Sequence, residues 1–148
     1  TCDRFCTHRL ISDMSMVQGF GDIFTDLVDT GIDLIFCNEE EAMGWTQTSS
    51  RSDALNRLRA VCQQIVITCG SDGALVYDGS GEVFVPGVPI NAVDTTGAGD
   101  MFAGAFLYGI TAGLNFEGAA TLANRAASRL VSAFGARLEK SRVDTLLA

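Results

Sequence analysis

Asp94-Thr95-Thr96-Gly97-Ala98-Gly99-Asp100-Met101-Phe102-Ala103-Gly104-Ala105-Phe106 sets a Gly-Ala-Gly turn between two carboxylates and runs straight into helix-forming and apolar residues. The small residues therefore fall at a helix N-terminus, where backbone N–H groups lack intrahelical partners and the dipole is positive. Such a turn is an anion site, because glycine lets a phosphate reach main-chain amides that a Cβ would screen. Asp100 stands out there. A second negative charge beside a bound phosphate is repulsive unless it has a task, and accepting a proton from an attacking hydroxyl is one. Met101 and the residues after it, as far as Tyr108, carry no charge on any face, which predicts a buried helix with a rigidly held start. The local alternative is an ordinary strand-to-helix turn, with Asp94 as its cap and Asp100 in the favourable first turn.

Read as Asp-Thr-x-Gly-Ala-Gly-Asp followed by small and apolar residues, this stretch resembles the C-terminal signature of the ribokinase-like carbohydrate kinases, the PfkB family, and every fixed position is present. The resemblance implies that the amides of Gly97, Ala98 and Gly99 form an anion hole for a transferring phosphoryl group. It implies also that Asp100 is the base that deprotonates the acceptor hydroxyl.

Towards the N-terminus, residues 65–68 suit a buried strand, and residues 74–77 and 82–85 suit an antiparallel pair around Asp78-Gly79-Ser80-Gly81. Local physics asks only for a turn at Thr68-Cys69-Gly70-Ser71-Asp72-Gly73. The resemblance adds that Thr68, Gly70 and Gly73 match a Thr-x-Gly-x-x-Gly loop contacting ATP phosphate and ribose. Cys69 is a poor nucleophile, since no His or Lys lies near it in sequence. Residues 51–63 read as a helix opened by Ser49-Ser50, with Ala54, Leu55, Leu58 and Val61 inward and three Arg on a solvated face. Asp33-Leu34-Ile35-Phe36-Cys37 suits a strand covered on both faces in a parallel sheet, followed by Asn38-Glu39-Glu40-Glu41 at its C-terminal end. Asn38 can cap the next helix, whose first turn the three Glu would favour. By resemblance, Asn38 and Glu41 form an Asn-x-x-Glu motif that orders Mg²⁺ and its water around the phosphates. Further back, residues 14–30 read as a helix stopped by Gly31, residues 1–9 as a loop, and the lone His8 as a surface or capping residue.

Towards the C-terminus, residues 116–134 read as a long Ala-rich helix packed on the sheet, with Gly135 after its end. In the family this helix flanks the adenine pocket, which by resemblance puts Asn124 near the base. The turn Ala133-Phe134-Gly135-Ala136 resembles a loop that, with Asp94 and Thr96, holds a monovalent cation (K⁺) in many members, although Arg137-Leu138 stands where Gln-Pro is commoner. Residues 143–147 read as a short terminal helix.

The strand, hairpin and helix order predicts an α/β fold, a mainly parallel sheet flanked by helices with an antiparallel hairpin toward one edge. A hydrophobic content of 47% over 148 residues supports one domain with a real core. The net charge of −8 argues against a nucleic-acid partner, and no window is apolar enough for a membrane span. Five Cys without a C-x-x-C pair point to reduced thiols and a cytoplasmic location. The chain begins with Thr1 and members of the family are longer, so residues 1–148 are expected to be the C-terminal, ATP-binding portion of a ribokinase-like kinase, without its lid. The expected partners are ATP with Mg²⁺ and a small sugar or nucleoside, with self-association into a homo-oligomer left open. The opening with Asp3, Phe5, Cys6 and Arg9, the Asn38-Glu39-Glu40-Glu41 run and the Phe-Gly-Ala-Arg-Leu ending resemble bacterial members similar to adenosine kinases, and that resemblance implies a nucleoside acceptor first. A ribose- or fructose-type sugar is the alternative, and a nucleotide-binding domain without catalysis is a third reading. This portion by itself is expected to show little or no activity.

Overall fold

A computed structural model describes residues 33–132. The expected opening loop with His8, the helix over 14–30 with its stop at Gly31, the 133–136 turn and the terminal helix lie outside the described residues. The chain divides into two compact units, with residues 33–68 and Tyr77–Gly81 in the first and Cys69–Val76 and residues 82–132 in the second.

In the first unit, β1 (Leu34–Asn38) pairs in parallel with β2 (Gln64–Thr68), from Leu34 opposite Gln64 to Asn38 opposite Thr68. Parallel neighbours need a crossover, supplied here by α1 (Glu39–Thr46) and α2 (Arg51–Leu58). Leu34, Ile35 and Phe36 in β1 and Ile65, Val66 and Ile67 in β2 are all buried. Three successive buried residues mean both faces of each strand are covered, as the continuous apolar runs predict.

Ser50 opens α2 as expected, its hydroxyl accepting from the Asp53 amide at 3.1 Å. The helix is shorter than the predicted 51–63. Beyond Leu58 the bonding tightens, with the amides of Ala60 and Val61 reaching back three residues to Arg57 and Leu58 at 3.2 and 3.0 Å. Val61, expected inward, is consequently turned out and is 39% exposed.

β3 (Gly73–Tyr77) and β4 (Glu82–Pro86) are sheet neighbours joined by four residues, a connection only antiparallel strands allow. In the turn between them, Asp78 Oδ1 accepts from the amides of Ser80 and Gly81 and from the Ser80 hydroxyl, at 2.8 to 2.9 Å. Those donors favour the carboxylate and lower the Asp78 pKa to about 2.

In the second unit, α3 (Ala98–Thr111) packs on α4 (Phe116–Val131). Phe106 is fully buried and meets Phe116 edge-to-face at 5.1 Å. Gly109 lies so close to Ala119 that an added Cβ would come within 3.0 Å of its Cα. Ala119, Ala120, Ala123 and Ala126 are buried, the close approach that an Ala-rich helix permits. The expectation that α3 is buried all round is corrected. Phe102, Ala103, Phe106 and Gly109 form a buried stripe, while Tyr108 is 49% exposed. An uncharged helix needs an apolar neighbour on every side to be buried, and within this unit the contacts of α3 are with α4. Among the described residues no helix is long and apolar enough to cross a membrane.

Candidate active site

Gly97 opens α3 in the left-handed region, at φ 77° and ψ 5°. A β-carbon is disfavoured there, which is why the turn requires glycine. No side chain caps the helix. Asp94, the cap of the local alternative, instead closes its own turn, its Oδ1 accepting from the Thr96 amide at 2.9 Å. The Val131 carbonyl, one of the orphans at the end of α4, accepts from the amides of Val93 at 2.7 Å and Asp94 at 3.3 Å. That pair of bonds pins the loop entering α3 to the end of α4.

The three amides expected to form an anion hole differ. Ala98 N–H already donates to the Thr95 carbonyl at 3.1 Å. The amides of Gly97 and Gly99 meet no acceptor among the described residues, so of the three these two are open to an outside acceptor and Ala98 is not. Asp100, in the first turn of α3, is exposed, and its carboxylate has no hydrogen-bond partner among the described residues.

An open cavity of about 780 Å³ borders this turn, reaching from Thr95 and Ala98 past Gly70 and Ser71 to Asn124 on α4. Its size lies within the range of small-molecule sites. The sequence did not single out the rest of its wall. Ala127, Ser128 and Val131 join Asn124 in lining it from α4, and the i, i+3, i+4, i+7 spacing of the four is the signal that marks one helix face. Val88, Pro89, Ile90 and Ala92 line it from the loop after β4, where no periodicity exists to reveal them.

Asn124 is only 8% exposed, and its amide nitrogen donates to the carbonyls of Val85 at 3.2 Å and Pro86 at 3.1 Å. It braces α4 against the end of β4 as well as lining the cavity. The two glycines of the matched loop have different physical grounds. Gly73, at φ 125°, would place a Cβ 2.1 Å from the Val85 carbonyl oxygen, so the hairpin itself demands glycine. Gly70, at φ 55°, faces open space at the cavity edge.

Thr68, Asn38 and Glu41 belong to the first unit. Thr68 is half-buried at the end of β2, its hydroxyl 3.5 Å from the Cys37 carbonyl. Asn38 and Glu41 form a reciprocal capping box. The Asn38 amide donates to Glu41 Oε2, and the Glu41 amide to Asn38 Oδ1, both at 2.8 Å. Capping is thus realised, and it leaves the second Glu41 oxygen for another contact. One carboxylate and one amide are too few for a direct octahedral cage but suit a Mg²⁺ that keeps most of its waters. No three His, Cys, Asp or Glu converge as a metal cluster among the described residues. Asp94 and Thr96 share one turn, and the 133–136 loop expected to complete a K⁺ site lies outside the described residues.

Residues 6–142 match the family described as pfkB family carbohydrate kinase. The chain is 42% identical over 100 residues to a ribokinase of Bacillus subtilis, covering 68% of this chain and 33% of that protein. It is 36% identical over 118 residues to a cytidine kinase of Thermococcus kodakarensis, covering 77% of this chain and 42% of the relative. The crystal structure of adenosine kinase from Sinorhizobium meliloti superposes with a TM-score of 0.85 at 31% identity, over 95% of this chain and 45% of that one. The chain therefore spans less than half the length of these relatives.

Proposed function

Because the chain belongs to the pfkB family of carbohydrate kinases, with the ribokinase-like α/β fold, we propose that it is the nucleotide-binding portion of an ATP-dependent kinase that phosphorylates a hydroxyl of a sugar or nucleoside. The observation that carries this is the start of α3. Two unoccupied amides, of Gly97 and Gly99, stand beside the exposed Asp100 carboxylate at the edge of a small-molecule-sized cavity.

In this reading the amides of Gly97 and Gly99 and the positive end of α3 stabilise charge on the γ-phosphoryl oxygens. Asp100 accepts the proton of the acceptor hydroxyl as its oxygen attacks phosphorus and the bond to ADP breaks. Gly70 and Thr68 hold the nucleotide from the loop after β2, and the Gly73 turn fixes the shape of that loop. Asn124 flanks the base. Asn38 and Glu41 would order Mg²⁺ through its water, and Mg²⁺ when bound neutralises phosphate charge. Asp94, with Thr96, is the group through which a monovalent cation would be held. A nucleoside is the first acceptor to test, in line with the adenosine kinase and cytidine kinase likenesses, and a ribose- or fructose-type sugar the second.

The test is a panel of nucleosides and sugars offered to the complete natural protein with labelled ATP and Mg²⁺. One acceptor should become labelled. Asp100→Asn should keep ATP affinity within about twofold and lose roughly 10²- to 10⁴-fold in turnover, the range for a removed general base. ATP binding without transfer to any acceptor would make the protein a nucleotide-binding domain, and retained turnover in Asp100→Asn would remove Asp100 from its role.

A further inference from the structure

Two walls of the cavity are joined by main chain alone. Gly70 and Ser71 form part of one, and Val88, Pro89 and Ile90 part of the other. Between them the Gly87 amide donates to the Asp72 carbonyl at 2.8 Å. Within the first wall the Cys69 amide donates to the Gly73 carbonyl at 2.8 Å and the Asp72 amide to the Cys69 carbonyl at 3.0 Å, so residues 69–73 form a closed loop. That loop is then tied as a unit to the segment that leaves β4.

Two glycines face each other across this seam, for different reasons. Gly73, at φ 125°, needs glycine for its conformation as well as for space. Gly87 lies outside the left-handed region, so its backbone would accept any residue. Space is what excludes one. A Cβ at Gly87 would stand 2.2 Å from the Ser71 carbonyl oxygen and 3.1 Å from the Gly73 nitrogen. Both neighbours are main chain and cannot swing aside as the tip of a side chain can. A single methyl group would therefore part the two stretches by about 1 Å.

We infer that Gly87 is a positioning residue for phosphoryl transfer: by admitting the Ser71 carbonyl against its Cα, it sets the spacing of the 70–73 loop from the segment after β4, and so the fit of the nucleotide between them. This rests on the proposed phosphotransfer reading, in which Gly70 holds the nucleotide and Asp100 works from α3. Gly87 touches no reacting atom and acts through the loop. The amides of Gly97 and Gly99 and the Asp100 carboxylate are not part of the seam, so a wider seam costs nucleotide binding and spares the chemical step.

The experiment places Gly87→Ala in the complete natural protein and measures ATP affinity by calorimetry, then KM for ATP and kcat with the acceptor found by the panel. The ATP Kd and KM should both rise roughly ten- to a hundredfold, the scale of a misplacement of about 1 Å. The kcat at saturating ATP and the acceptor KM should stay within about threefold. Gly81→Ala, where a Cβ meets nothing within 4 Å and φ is again outside the left-handed region, should change none of them. A less stable Gly87→Ala with unchanged ATP affinity would make Gly87 a residue of the fold alone and overturn the inference, as would a loss confined to kcat. If Gly87→Ala does not fold, hydrogen exchange in the wild-type protein decides. A nucleotide that requires the closed seam should slow exchange of the Gly87 amide by about a hundredfold at 100 times its Kd, and exchange unmoved by ATP overturns the inference. ATP binding without transfer to any acceptor overturns the kinase reading, while the affinity lost in Gly87→Ala still decides the inference. Binding of no nucleotide overturns both.

Discussion

Gly73 and Gly70 stand three positions apart in one loop, and the sequence presents them as equivalent members of a motif. The structure separates them by physical necessity. At Gly73 a Cβ would meet main-chain atoms of Val85, Pro86 and Gly87 within 2.1 to 2.7 Å, at a φ of 125° that side chains rarely adopt. Gly73→Ala should therefore destabilise the fold by about 3 kcal/mol or more, combining strain and overpacking. Gly70→Ala meets no atom within 4 Å and carries only the left-handed penalty, about 1 kcal/mol. Urea denaturation of the two variants measures the difference, and equal losses would refute the distinction. At Asp78 the direction of pH dependence follows from its donors. Its folded pKa is lowered from 3.8 to about 2. The stability contributed by this turn is therefore fully present above pH 3.8 and lost as pH falls through about 2. A carboxyl NMR titration of Asp78 should show a midpoint near 2, and a midpoint near 3.8 would mean that the turn bonds do not persist in solution.

α1 carries the sharpest ambiguity among the elements, because its capping box uses the same two residues that the family resemblance assigns to Mg²⁺. Glu41→Gln separates the roles. Glutamine keeps an oxygen able to accept from the Asn38 amide, so the box survives, and only the charge at the helix start is lost. Thermal unfolding should then shift by the equivalent of no more than about 1 kcal/mol. The Mg²⁺ concentration needed for half-maximal phosphoryl transfer should rise several fold if Glu41 orders the ion's water. An unchanged Mg²⁺ dependence would reduce Glu41 to a cap. α3 and α2 show what a sequence pattern omits at this scale. The uncharged stretch after Gly99 predicts burial on every side, yet cover comes from neighbours and not from composition. The apolar Val61 fits the stripe of α2, yet the helix ends at Leu58 and the chain turns before reaching it.

Across the whole molecule, the chain spans 33% and 42% of the lengths of the ribokinase and cytidine kinase it matches, and the acceptor is expected to be held largely by portions those relatives have beyond it. The 148-residue chain alone should accordingly transfer phosphoryl at least about 10³-fold more slowly than the complete natural protein, since orientation of the two reactants is lost. A comparable rate from the chain alone would show that residues 1–148 hold the acceptor themselves. Strands β1 to β4 were legible within a residue or so, because continuous apolar runs and the Asp78–Gly81 turn are local signals. The helix start at Gly97 was legible for the same reason, the small residues and the flanking carboxylates being contiguous in sequence. The sequence by itself determined the α/β order, the family and the turn that can take an anion, since each depends on residues adjacent along the chain. Only the tertiary structure decided that Ala98 N–H is taken by Thr95, that Gly73 is held by the main chain of residues 85–87, and that the Asn124 amide nitrogen is taken by the carbonyls of Val85 and Pro86. Each of these depends on which groups three-dimensional packing brings within hydrogen-bonding or contact distance, and residue order alone does not carry that distance.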